Sequence, residues 1–242
     1  MTTANLSPRW FARGYAAYGC RDHKWKYSAE VEYSFLDKKI HPREFPVHSI
    51  RLRHQYDVDR LGSHYLYTNA DNFVLSWTRM SDRRFTYRRS TKLEYTLELN
   101  NHFSVVASAE HLRQEASPYL LFTTNAGRQI SHYDMTVFGA DLRFAPGETF
   151  YQARSYRVPV DETVPVVTLS HRYAPSVFSG QRYGVNRTEL SVSKLFMLSF
   201  MGALDVKVSG GHVWGATVFP ELFIPNANLS YTIQPGSFAL MN

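Results

Sequence analysis

The stretch that most constrains this chain is Lys24 to Phe35, KWKYSAEVEYSF. Its odd positions read Trp25, Tyr27, Ala29, Val31, Tyr33 and Phe35; its even positions read Lys24, Lys26, Ser28, Glu30, Glu32 and Ser34. A strand sends successive side chains to opposite faces, so this segment has one apolar and one polar face. A helix would scatter both sets around its axis. The chain must supply a sheet whose two sides meet different surroundings.

The pattern recurs. Ile50, Leu52, Tyr56 and Val58 oppose Arg51, Arg53 and Gln55, and Leu93, Tyr95, Leu97 and Leu99 oppose Lys92, Glu94, Thr96 and Glu98. Asn100-Asn101 then predicts a tight reversal, because Asn tolerates the left-handed conformation that hairpin turns need. Phe103, Val105, Ala107 and Ala109 form the return face, Phe138 to Phe144 alternate up to Pro146-Gly147, and Leu204, Val206 and Val208 alternate with polar neighbours. Trp10–Tyr18 is strand-like, and weaker strands are expected at Asn72–Met80, Val166–Tyr173, Arg187–Phe196 and Asn228–Ile233. The reading is all-β: roughly nine or ten strands in an antiparallel up-and-down meander, with no convincing helix. Residues 1–242 read as one domain, a partial β-barrel. Short turns near Arg21-Asp22 and Asn100-Asn101 alternate with longer polar stretches at Arg60–Asn72, Gln114–Ser131 and Thr149–Val164, as in outer-membrane barrels.

Which face meets which surroundings follows from length and composition. Several segments reach the ~9–11 residues that cross a bilayer when tilted. Aromatics make up 15% of the chain and gather near strand ends, like interfacial girdles. The expectation is therefore that Trp25, Tyr27, Val31, Tyr33, Phe35, Leu93, Tyr95 and Leu97 face lipid. Lys24, Lys26, Glu30, Glu32, Arg51, Arg53, Lys92, Glu94 and Glu98 then face a watery lumen. On that assignment Val31→Arg blocks membrane assembly and Glu32→Ala is tolerated. The alternative is a soluble all-β barrel or sandwich with a small ligand inside, whose apolar face is simply its core. Mean hydropathy is −0.34 and no stretch approaches the ~20 apolar residues of a membrane helix. Residues 1–12 lack the basic start and apolar run of a secretory signal. With strand-like segments at both ends, the chain reads as an internal piece of a longer barrel.

Three groups of segments resemble one family. They are FARGYAAYGCRDHKWKYSAEVEYSF (11–35) with HPREFPVHSIRLRHQYDVDRLGSHYLYTNADN (41–72); LRFAPGETFYQARSYRVPV (142–160) with PVVTLSHRY (165–173); and NRTELSVSKLF (186–196) with FPELFIPNANLSYTIQPGSFALMN (219–242). They are similar to the Bacteroidota outer-membrane family called domain of unknown function 5686. Its members usually carry an N-terminal carboxypeptidase-regulatory-like β-sandwich before the barrel. The resemblance implies a bacterial outer-membrane barrel acting in envelope assembly or transport, with outer-membrane lipid and envelope proteins as partners. It brings no cargo and no peptidase chemistry. The Arg-Gly-Phe-type loop of assembly-factor barrels has no counterpart here.

No catalytic, cofactor-binding or metal-binding residue is expected, and the protein reads as a non-enzyme. The ten histidines are scattered without His-Glu-x-x-His spacing, and His54 and His171 fall among aromatics, where an interface or strand end is the expected place. Cys20 is the single cysteine and has no base or orienting group marked out beside it. No hydrolase elbow or Walker loop occurs. The net charge of +6 is spread along the chain, which argues against nucleic acid. Arg83-Arg84 and Arg88-Arg89 read as solvated charge flanking strands or as a loop end at lipid phosphates. Asn186-Arg187-Thr188 matches a glycosylation sequon but reads as structural.

Overall fold

The computed structural model is all-β. It describes residues 7–60 except 21 and 40, and 85–223 except 119, 124–126, 153–156, 161–162 and 176–183. In chain order the strands are β1 (Trp10–Tyr18), β2 (Trp25–Ser34), β3 (His48–Arg60), β4 (Phe85–Glu98), β5 (Phe103–Ala116), β6 (Phe122–Thr123), β7 (Gln129–Ile130), β8 (His132–Phe144), β9 (Phe150–Gln152), β10 (Arg157–Pro159), β11 (Val166–Ala174), β12 (Val185–Met197) and β13 (Ala203–Val213). Nine of them form one sheet in the order β1-β2-β3-β4-β5-β8-β11-β12-β13. The pairs β6–β7 and β9–β10 are small hairpins set into connections. Every strand of the sheet is antiparallel to its chain neighbour, so the meander is as expected. The sheet is open: among the described residues β1 and β13 each have one neighbour. Asn72–Met80 and Asn228–Ile233 lie outside the described residues.

Register carries the alternation from strand to strand without slipping. Val31 faces Leu52, Leu52 faces Leu93 and Leu93 faces Ala109, while Glu32 faces Arg51, and Arg51 faces Glu94. One apolar and one polar face thus run across the whole sheet, since a slip of one residue would exchange them. Two strands are longer than their patterns suggest. β4 begins at Phe85, so Arg88 and Arg89 sit within the sheet, and β5 runs on to Ala116 through residues that read as loop.

The connections differ from expectation. The short turns at 19–24 and 99–102 follow an odd and an even strand, so they lie at opposite ends of the sheet. The Asn100 end has the short turns 99–102 and 198–202, but also the long connections 35–47 and 145–165. Neither end is the short-turn end. The 99–102 turn also differs in detail. His102, not an asparagine, takes the left-handed conformation (φ 62°), and Asn101 Oδ1 accepts the Phe103 N–H at 3.1 Å. His102 N donates to Leu99 O at 3.0 Å and Leu99 N to Phe103 O at 2.9 Å, a turn followed by one left-handed residue.

Candidate functional site

Exposure on the two faces is inverted relative to a water-soluble sheet. On the polar face Glu32 is 1% exposed, Ser34 0% and Ser49 1%, whereas on the apolar face Val31 is 45%, Leu52 50% and Leu93 44%. Apolar surface left in water costs about 25 cal/mol per Å², and buried charge without partners costs far more. A fold that buries its carboxylates must find partners for them.

The partners come from strand-to-strand ion pairs. Arg13 on β1 reaches Glu30 at 2.5 Å and Glu32 at 3.4 Å on β2. Ser49 Oγ donates to Glu32 Oε1 at 2.8 Å, and Arg51 stands 3.6 Å from its other oxygen. Arg51 then meets Glu94 on β4 at 3.1 Å, and Lys92 meets the same carboxylate at 2.7 Å. Arg53 lies 3.9 Å from Glu30. Further along, Arg88 pairs with Glu110 at 2.9 Å, Arg172 with Asp141 at 2.8 Å and Arg187 with Glu221 at 3.4 Å. A Cβ at Gly139 would stand 2.5 Å from Ser108 Oγ and 3.0 Å from Arg172 Nη1, so glycine leaves the room this arginine uses. The pairs run without a break from β1 to β4, and separate pairs follow between β4 and β5, between β8 and β11, and from β12 to the turn at Phe219–Glu221.

Both ends of this face are covered by connections. At the Asn100 end Glu98 takes a bidentate pair from Arg157 (2.9 and 3.0 Å) and a hydrogen bond from Val47 N at 3.1 Å. Arg157 lies 4.1 Å over the Phe150 ring, and Phe45 stacks on His102 at 5.4 Å. Lys38 donates to the carbonyls of Glu44 and Pro46, each at 2.6 Å, and burial pulls its amine below the usual lysine range. At the other end β6 and β7 lay Phe122 and Ile130 on a buried cluster of Leu112, Tyr133, Met135, Val137, Ala174 and Val185, joined by Val218. Tyr133 donates to Gln114 Oε1 at 3.2 Å, and Gln114 donates to Thr86 Oγ1 at 2.6 Å.

Most residues expected on the polar face share it as paired members of the ladder. Lys26 reaches Asp22 at 2.9 Å at the edge of that face. Two expectations change. Lys24 leaves the polar face: it sits in the 19–24 turn with Nζ 3.7 Å over the Tyr87 ring and 3.4 Å from the Tyr56 hydroxyl, because the turn leans across the other side of β3 and β4. Glu32 is satisfied by protein groups rather than lumen water, so its replacement cannot be neutral. Of the apolar set, Trp25 is exposed and packs on Tyr18 at 5.3 Å, while Trp10 packs on Tyr33 at 4.9 Å at the opposite end. Phe35 and Tyr95 meet at 6.4 Å, Tyr27 rests beside His54 and Tyr56, and Leu97 faces Val105.

The remaining motifs resolve locally. Cys20 is exposed in its turn. Asn186-Arg187-Thr188 lies inside β12, with Arg187 held by Glu221. His54 and His171 stand within strands, bonded to Thr91 at 2.8 Å and Thr188 at 2.9 Å. Among the described residues no three His, Cys, Asp or Glu side chains gather as a metal site. The ladder's partners and the covering connections were not visible in the sequence; the signal that existed was the mixed sign of the polar faces. No family profile, curated protein or solved structure matches the chain.

Proposed function

We propose that this chain forms wall of a transmembrane β-barrel in a bacterial outer membrane, with a non-enzymatic role in envelope assembly or transport. The observation that carries the reading is the inverted exposure: Val31, Leu52 and Leu93 are bare while Glu32 and Ser49 are sealed. Lipid is the neighbour that makes both favourable at once. The spacing of the exposed aromatics agrees. Trp10 and Tyr18 bound β1, and at ~3.4 Å per residue the strand between them covers about 27 Å. Tilted by ~40°, that is about 21 Å of depth, near the ~25 Å apolar band of such barrels. A sheet in lipid leaves no edge unpaired, so the reading requires β1 and β13 each to gain a second neighbour in the assembled protein. The resemblance to domain of unknown function 5686 points the same way.

The polar face is crossed by matched ion pairs and covered at both ends by connections, which favours a closed, structural interior over a simple diffusion pore. The test is flotation with vesicles after refolding. The chain should float with lipid and resist extraction by carbonate, and Val31→Arg should not float. A chain that stays monodisperse without detergent or lipid overturns the reading in favour of a soluble module.

A further inference from the structure

The two free edges of the sheet differ in how their inward charges are met. On β1, Arg13 holds Glu30 and Glu32, and the Tyr15 hydroxyl donates to Asp57. From β1 to β11 every charged side chain on the inward face of the sheet strands has such a partner. On β13 the pattern breaks. Asp205 and Lys207 stand on the inward face near the middle of the strand, and both are exposed. Across β12 they face Leu195 and Ser193, which carry no charge. Glu189, the nearest charge on the inward face of β12, stands opposite Gly211, four positions along from Lys207. Among the described residues neither Asp205 nor Lys207 has an ion pair or a side-chain hydrogen bond. The interior does not cover them either. A Cβ at Gly211 would collide with the Phe223 ring, so the returning chain lies on β13 nearer its end.

Strand direction limits what can sit beside this edge. Every neighbour in the sheet is antiparallel and the strands number nine, so β1 and β13 run the same way. Copies of the chain in one membrane share one orientation. The β1 strand of a second copy would therefore meet β13 in parallel, and the β13 strand of a second copy would have to enter the membrane inverted. The β1 sequence, WFARGYAAY, also has no carboxylate to offer Lys207.

We propose that the free edge of β13 is the docking site of a separate strand that runs antiparallel to it and brings an acidic residue opposite Lys207 and a basic residue opposite Asp205. The inference rests on the membrane reading above and specifies the neighbour which that reading requires. Antiparallel pairing fixes the order, so the partner reads acidic, apolar, basic along its chain. Its apolar positions continue the outward face of Leu204, Val206 and Val208 towards lipid, because side chains alternate between faces. Its backbone satisfies the N–H and C=O groups that an edge in lipid leaves unpaired, as in other strand additions. The two new ion pairs extend past β13 the arrangement that joins Arg51 to Glu94 and Arg172 to Asp141.

The test uses the full chain carrying Cys20→Ser and Ser209→Cys, refolded in zwitterionic detergent micelles, with two synthetic strands matched to the eleven residues of β13. Both strands alternate apolar and polar residues and carry a cysteine that meets position 209. One presents Glu opposite Lys207 and Arg opposite Asp205, and the other has Glu and Arg exchanged. At low salt, disulfide formation should be roughly tenfold faster with the first strand, about threefold for each charge pair. Adding the double change Asp205→Lys, Lys207→Asp should reverse the preference, and ~1 M salt should remove it. Equal rates for the two strands, a preference that the double change does not reverse, or disulfide-linked pairs of the chain in place of chain–strand adducts would overturn the docking site and leave the membrane reading standing. A chain that stays monodisperse without detergent and does not float with vesicles overturns both.

Discussion

Glu32 and Val31 are adjacent in sequence and opposite in circumstance. Glu32 is sealed among Arg13, Arg51 and Ser49, so Glu32→Ala removes the acceptor of Ser49 and the second carboxylate of two guanidinium groups that keep Glu30 and Glu94. We expect a loss of about 1–2 kcal/mol, read from the urea midpoint in micelles, with Glu32→Gln losing less because it keeps an acceptor for Ser49. Val31→Arg is expected to cost ~2–4 kcal/mol if the side chain sits mid-bilayer, and to show as failed membrane assembly. Asp22 gives a pH-dependent counterpart. Burial pushes its carboxyl up, but hydrogen bonds from Lys26 and Tyr87 outweigh that and hold it below the usual carboxylate range. Its contribution is therefore complete above the ordinary carboxylate pKa of about 3.9 and lost as pH falls through the lower folded value. Asp22→Asn should flatten the acid limb of the pH–stability curve below about pH 4. Which residues share a face was legible in the sequence, because a period of two needs only the chain itself. Which arginine meets which carboxylate was not, because that depends on the register of separate strands. Lys24 shows the limit: its parity placed it with Lys26, but it stands just before the first position of β2, where parity no longer governs direction.

At the level of elements, the strands were readable and the connections were not. β2, β3 and the second half of β4 follow their alternation, whereas β4 before Lys92 and β5 beyond Glu110 carry polar residues on both faces and so show no strand pattern. Connections are fixed by contacts distant in sequence. Arg157, in the small β10 strand, finds Glu98 at the end of β4 through two hydrogen bonds, and Phe45 meets His102 and Phe150. No local pattern announces such meetings. Arg157→Ala should free the 145–165 connection without unfolding the sheet. Limited chymotrypsin digestion should then cut near Phe150 several-fold faster, while strand content measured by circular dichroism stays unchanged. Equal cutting rates would mean that the connection is held by its other contacts.

Across the whole molecule, one asymmetry organises the rest: through the middle of β1 to β4 charge on one face is paired and shielded, while the other face turns apolar side chains outward. Ion pairs of this kind gain little net stability once desolvation is counted, so the ladder's value lies in making a polar face that can be buried at all. The most direct test of this account reads the two faces alternately. In a Cys20→Ser background, single cysteines at Ala29, Glu30, Val31, Glu32 and Tyr33 would carry a fluorophore in reconstituted vesicles, with quenchers confined either to the acyl chains or to water. The account predicts acyl-chain quenching at positions 29, 31 and 33, with little at 30 and 32. Quenching of 29, 31 and 33 by the aqueous reagent, with none from the acyl chains, would contradict it.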